Sequence, residues 1–174
     1  MTPNKEETKN RRWLALYTRM HHERKVRDRL TDRGIECFVP IQTVVRQWSD
    51  RKKKVDKVLI SMMVFVHVDA DEQRQALEDP AVSRYMVLRG EHVPAVIPDR
   101  QMEYFRFMVS QSDVDVSFNA ECLQVGQKVR VIKGPLMGLV GELVTVGGKS
   151  SVAIRVEMLG CAMVEVSVGM IEKA

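Results

Sequence analysis

The spacing of apolar and polar residues changes character several times along this chain, and each change predicts an element. Trp13-Leu14-Ala15-Leu16-Tyr17-Thr18 is aromatic and aliphatic, with the character of a buried strand. From His22 to Arg33 the pattern turns helical: Val26 and Leu30 stand four apart among charged residues and form a narrow apolar seam. Gly34 follows, where a left-handed C-cap is wanted. Ile35 to Val45 is strand-like, with Pro40 marking a bulge or an edge. Arg46 to Lys57 is polar and basic, and predicts a long exposed hairpin or loop. Val58 to Val68 is almost wholly apolar, as in the middle strand of a covered sheet. A short acidic helix is predicted over Ala70 to Glu78, before Pro80, and strands over Val82 to Leu88 and Val93 to Ile97. Pro98-Asp99 open a helix to Ser110, with Met102, Phe105 and Val109 at i, i+3 and i+7.

This order predicts an α+β domain, helices flanking a mostly antiparallel sheet, that ends near Ser110. Gln111 to Glu121 is polar and acidic without a period, and is a linker candidate. The remainder is β-rich. Val129, Val131, Leu139, Leu143, Val144, Val146, Val152, Ile154, Val156, Val164, Val166 and Val168 are punctuated by Gly147-Gly148 and Leu159-Gly160. They predict five short strands in a small barrel. The expected organisation is a disordered tail over 1–10, a first domain over 11–110, a linker over 111–121 and a barrel over 122–174. Lys133-Gly134-Pro135-Leu136-Met137-Gly138 lies in the first hairpin of that barrel. Gly134 and Gly138 release the backbone at turn positions, and Gly141 lets the second strand bend.

Composition narrows the function. The 174 residues are 45% hydrophobic and 29% charged, an ordinary globular balance. No apolar run is long enough to span a bilayer, and the N-terminus lacks the apolar stretch of a secretory signal. Cys37, Cys122 and Cys161 are scattered and odd in number, which fits a reducing cytoplasm and no disulfide framework. Cys37 and Cys161 have the surroundings of small core hydrophobes.

The net charge of +4 is unevenly spread: 16 basic and 8 acidic residues in 1–60, 5 and 11 in 61–121, 6 and 4 in 122–174. A basic first third attracts phosphate backbones. Lys25, Arg29 and Arg33, at i, i+4 and i+8, line one helix flank. The adjacent His21 and His22 do not share a helix face, and no metal-ligand set, nucleophile with its base, or phosphate-binding glycine loop stands out. No metal, cofactor or enzymatic activity is expected.

The stretch Val125 to Glu142, with Lys133, Gly134, Pro135, Gly138 and Gly141, resembles a KOW motif. Trp13-Leu14-Ala15-Leu16-Tyr17, the helix after it, Phe38-Val39-Pro40, Val64-Phe65-Val66 and Val93 to Pro98 resemble the N-terminal domain of the NusG family. The likeness covers residues 11–174 with both domains in the family's order. It is greatest to the specialised antiterminator paralogues of the RfaH and UpxY type, which serve polysaccharide or surface-structure operons. The resemblance implies a non-catalytic, monomeric transcription elongation factor. Its first domain lays an apolar cavity on the β′ clamp helices of RNA polymerase and suppresses pausing, and its barrel recruits Rho or a small-subunit ribosomal protein.

Carried over position by position, the cavity falls on Tyr17, Phe38, Pro40, Met63 and Phe65. The family's Pro-Gly-Tyr before the Val-Phe-Val run is here Ser61-Met62-Met63, so Met63 replaces an aromatic; a thioether can adapt to such a pocket. DNA contact falls on Arg19, His21, His22, Lys25, Arg29 and Arg33 for the displaced non-template strand. It falls on Arg51, Lys52, Lys53 and Lys54, at the hairpin tip, for upstream duplex. The segment nearest the paralogues' loop for the polymerase β gate loop is Asp71 to Gln75, which lacks its hydroxyl-rich pattern. Valine and glycine after residue 125 disfavour helix, so a stable barrel without refolding into helices is expected. The competing classes are a ribosome-associated KOW protein that binds rRNA and a general NusG acting at most genes.

Overall fold

The computed structural model describes residues 10–111, 113–121, 126–156 and 159–174. The expected N-terminal tail and the barrel's first residues, Cys122 to Val125, lie almost wholly outside these. The chain divides into two compact units. One holds the described residues up to Val39 together with Ser61–Asp99; the other holds Pro40–Ile60 and Arg100–Ala174.

The first unit is built on a four-stranded antiparallel sheet. Its strands are β1 (Arg12–Thr18), β2 (Glu36–Phe38), β5 (Met63–Val68) and β6 (Val82–Tyr85), in the order β2-β5-β1-β6. Helices α1 (Glu23–Asp32) and α2 (Ala70–Leu77) cover one face. Leu14, Leu16, Val64 and Val66 point to that face, and Val26, Leu30 and Ala76 meet them from the helices, all fully buried. Helix α1 ends as the sequence predicts: Gly34 has φ +81 and its N–H donates to the Thr31 carbonyl at 2.9 Å. Helix α2 starts on a capping box, with Asp69 accepting from the N–H groups of Asp71 and Glu72 and Glu72 returning to Asp69 N–H.

Three predicted strands differ from the observed ones. Ile35 to Val45 is interrupted at Val39-Pro40, where proline removes a ladder donor, giving β2 and then β3 (Ile41–Gln47). Val58 to Val68 is not one strand. It contains the end of β4 (Lys52–Val58), a turn, and β5. The turn passes through Met62 in the left-handed region at φ +59. Val93 to Ile97 is not a strand and contributes isolated bridges, Trp13 to Ile97 and Val87 to Pro94.

The second unit contains the β3–β4 hairpin, α3 (Asp99–Ser110) and a six-stranded antiparallel sheet. Its strands are β7 (Ser117–Asn119), β8 (Gln127–Val131), β9 (Val140–Val146), β10 (Lys149–Val156), β11 (Gly160–Glu165) and β12 (Ile171–Lys173), ordered β12-β8-β9-β10-β11-β7. The sequence predicted five strands; the sixth, β7, lies inside the expected linker and pairs with β11. Its Phe118 ring stands 6.3 Å from Phe105 of α3, an apolar reason for a short polar segment to join the sheet. The C-terminal region is all-β, as its valine content predicts.

Glycine does two jobs in the first hairpin of this sheet. Gly134 and Gly138 sit at φ +86 and +91, in turns that suit glycine. Gly141 has no such φ. A side chain there would stand 2.7 Å from the Ala153 carbonyl oxygen and from Val152, so close strand packing holds this position.

Candidate functional site

Strand pairing sets out the first candidate surface. Phe38 pairs with Phe65, and Phe65 with Ala15; Met63 pairs with Tyr17, and Tyr17 with Arg84. Residues paired across strands point to the same side of a sheet. The side opposite α1 and α2 therefore carries Phe38, Phe65, Met63, Tyr17 and Arg84 in two adjacent rows. A third row holds Trp13, stacked at 4.9 Å on His67, whose Nδ1 lies 2.9 Å from the Glu36 carboxylate. Four of the five expected cavity residues thus share one face. Phe65 and Met63 are buried, while Tyr17 and Phe38 are half-buried. The Phe38 and Phe65 rings are 6.1 Å apart, and the Arg84 guanidinium lies 4.9 Å over the Tyr17 ring. The fifth, Pro40, belongs to the other unit, where it is buried and its carbonyl accepts from Leu59 N–H at 2.9 Å.

The turn that enters this face is held by a residue the sequence reading missed. Glu23, in the first turn of α1, is buried and accepts the Met62 N–H at 2.6 Å; the Met62 carbonyl accepts from Thr18 N–H at 2.9 Å. Met62 occupies the glycine position of the family's Pro-Gly-Tyr. Its left-handed backbone costs about 1 kcal/mol relative to glycine, and these two bonds offset that cost. Methionine in a glycine position was the only signal available in the sequence. The Met62 side chain is left exposed.

The basic residues of the first unit do not act as one free ridge. Arg29 makes a fork with Asp79, at 2.6 and 2.7 Å, and the Asp79 side chain is fully buried. The Asp79 carboxyl also accepts from Ala81 N–H at 2.9 Å. Its Arg29 hydrogen bonds hold it below the usual carboxylate range, and the same contact raises Arg29. Arg29 is thus held in an ion pair with Asp79, with 40% of its side chain still exposed. Arg33 donates to the Gln75 carbonyl at 3.3 Å. Arg19, His21 and Lys25 are exposed, and His21 has φ +59. His22 Nδ1 lies 2.9 Å from the Met20 carbonyl. Asp71 to Gln75, nearest to the gate-loop segment, is not a loop but part of α2.

In the second unit, the β3–β4 register puts Val45 opposite Lys54, Arg46 opposite Lys53 and Gln47 opposite Lys52. The run Arg51, Lys52, Lys53, Lys54 is consequently split between the two faces of the hairpin. The hairpin base is tied to the following segment by Gln42, also missed from the sequence. Its buried amide donates to the carbonyls of Gln111 at 3.0 Å and Val114 at 2.6 Å, and accepts from Val116 N–H at 3.0 Å. Lys57 adds bonds to Asp115 and to the Val116 carbonyl. Around the KOW-like turn, Lys133, Gly134, Pro135 and Met137 are exposed, and Leu136 and Leu139 are buried.

Burial pushes the Cys37 thiol up to about 12, which leaves it protonated near neutral pH. Cys161 is buried and disulfide-bonded, a correction to its reading as a plain core hydrophobe. Among the described residues, no group of three or more His, Cys, Asp or Glu could hold a metal ion, and no helix is long and apolar enough to cross a membrane.

An aromatic-faced α+β unit and a second unit ending in an all-β sheet define a class of two-part protein. The family model described as transcription termination factor nusG matches residues 11–106, more than half of the chain. The chain belongs to the NusG family. Its fold is similar to the solved structure entitled "Domain interaction in Thermotoga maritima NusG", at 17% identity and TM-score 0.52, over 94% of this chain and 97% of that one. The MjSpt4:Spt5 complex in conformation A is matched at 12% identity over 93% and 97% of the two chains, with a TM-score of 0.34. No curated protein matches the sequence.

Proposed function

We propose that this chain is a transcription elongation factor of the specialised antiterminator kind. Its first unit docks on the β′ clamp helices of RNA polymerase and suppresses pausing or termination, at polysaccharide or surface-structure operons. The observation that carries this reading is the sheet face on which Phe38, Phe65, Met63 and Tyr17 lie in adjacent rows, in a chain whose family is that of transcription factors. Tyr17 and Phe38 supply the accessible aromatic area, and aromatic anchors carry much of the energy of protein interfaces. Arg19, His21, His22, Lys25, Arg29 and Arg33 are assigned to DNA, with the hairpin's Arg51, Lys52, Lys53 and Lys54. The exposed KOW-like turn, with Met137, is the surface for a further partner such as Rho or a small-subunit ribosomal protein. The role assigned to the chain is binding, in the cytoplasm and as a monomer.

The test is a single-round transcription assay with purified bacterial RNA polymerase on a template carrying a strong pause. The full chain is expected to shorten the pause several-fold, and Tyr17→Ala to remove most of that effect while remaining folded. A pause lifetime untouched by the folded protein contradicts the proposal.

A further inference from the structure

The hairpin carries a feature that phosphate binding by a basic run does not use. Trp48 stands at its tip and is half exposed, at 50%. The turn Trp48–Arg51 is closed by the Trp48 N–H donating to the Arg51 carbonyl at 2.8 Å. That bond extends the β3–β4 register by one step: Val44 faces Val55, Arg46 faces Lys53, and Trp48 faces Arg51. Strand alternation then places Trp48, Arg46, Lys53 and Arg51 on one face. The side chains agree, because the Lys53 ammonium lies 5.2 Å from the centroid of the Trp48 ring. Lys52 and Lys54 point to the other face, with Val45 and Gln47. One face of the hairpin therefore carries an indole together with three cations, of which Lys53 lies over the ring.

We propose that this face binds single-stranded nucleic acid, with an unpaired base stacked on Trp48 and the flanking phosphates held by Arg46, Arg51 and Lys53. The inference rests on the nucleic-acid reading above and sharpens it from phosphate contact to base stacking. An exposed indole offers a platform on which any base can stack, and neighbouring cations hold the backbone on either side. A duplex keeps its bases stacked on each other and exposes only their edges and the phosphates, so it offers no free base face to Trp48. A lipid surface fits less well: it needs a wider apolar area than one ring, and the turn also carries the exposed Asp50, whose carboxylate lies 3.9 Å from Arg51 Nε.

The chain has two tryptophans, so a full-length Trp13→Phe variant leaves Trp48 as the only indole reporter. Short oligo-dT, oligo-U and a duplex of equal length are titrated at low salt, following tryptophan fluorescence. The single strands are expected to quench Trp48 strongly and to bind more tightly than the duplex. In the otherwise native chain, Trp48→Ala should weaken single-strand binding by about tenfold, the size of one lost base stack, with the salt dependence kept. Arg46→Gln with Lys53→Gln should instead flatten the salt dependence. Preference for oligo-dT marks displaced DNA as the source, and preference for oligo-U marks transcript; either supports stacking. Strand binding without quenching, unchanged by Trp48→Ala, overturns the stacking and leaves the phosphate reading in place. Duplex binding equal to single-strand binding does the same. A folded chain that binds none of the three overturns both.

Discussion

Gln42→Ala is expected to lower the stability of the chain by about 3 kcal/mol and to release the segment after α3. The Gln42 side chain is buried and makes three hydrogen bonds to backbone groups of Gln111, Val114 and Val116. Truncation strands two carbonyls and one N–H at once, and each buried group left without a partner costs about 1–3 kcal/mol; water entering the new space recovers part of that. Urea unfolding measures the loss. Hydrogen exchange locates it: the Val116 amide, whose acceptor is Gln42 Oε1, should exchange much faster. Gln42→Glu keeps that acceptor and removes both donors, so Val116 should stay protected while stability still falls. Wild-type stability in Gln42→Ala would show that the segment is held by other contacts.

Asp79→Asn is expected to cost about 2 kcal/mol near neutral pH, the scale of charge-assisted hydrogen bonds lost from a buried carboxylate. The sign of its pH dependence follows from the direction of the shift. Arg29 first, and the Ala81 N–H after it, hold the folded-state carboxyl below its ordinary value. As pH falls, the unfolded chain takes up the proton first. The contribution is therefore complete above the ordinary carboxylate range, at about pH 4, and is lost as pH falls from there through the folded value. The difference in stability between wild type and Asp79→Asn, followed by denaturation across pH, should be constant above about pH 5 and shrink below pH 4. A difference that stays flat into strong acid would mean that the carboxylate is not the source of the stability.

Both residues show where the sequence stopped being readable. The strand at Trp13–Thr18 and the helix around Val26 and Leu30 were legible because their periodicities are local, and Gly34 announced the helix end. Pro40 announced a break, though not that two strands flank it. The turn before Met63 gave no such notice: Ser61-Met62 contains neither glycine nor proline, and the left-handed backbone at Met62 depends on Glu23, far away in the chain. Likewise Arg29 looked like one of a row of surface cations, because its partner Asp79 is fifty residues on. The hairpin's charge run was visible as composition, but its division between two faces needed the register. Gln42 was invisible altogether, a polar residue in a strand whose partners are backbone atoms of a segment read as a linker. Of the aromatic face, the residue types were legible and four of five came together; which of them keep accessible area was not, since burial depends on packing beyond the strand.

The most direct test of the central claim is binding of the full chain to a fragment carrying the β′ clamp helices of a bacterial RNA polymerase, with Tyr17→Ala measured alongside. The account predicts saturable binding by the wild type, weakened at least tenfold by Tyr17→Ala, the scale of an aromatic interface anchor, while the Trp48→Ala chain binds the fragment as tightly as the wild type. Absence of binding by the folded wild-type chain, or binding indifferent to Tyr17, would contradict it.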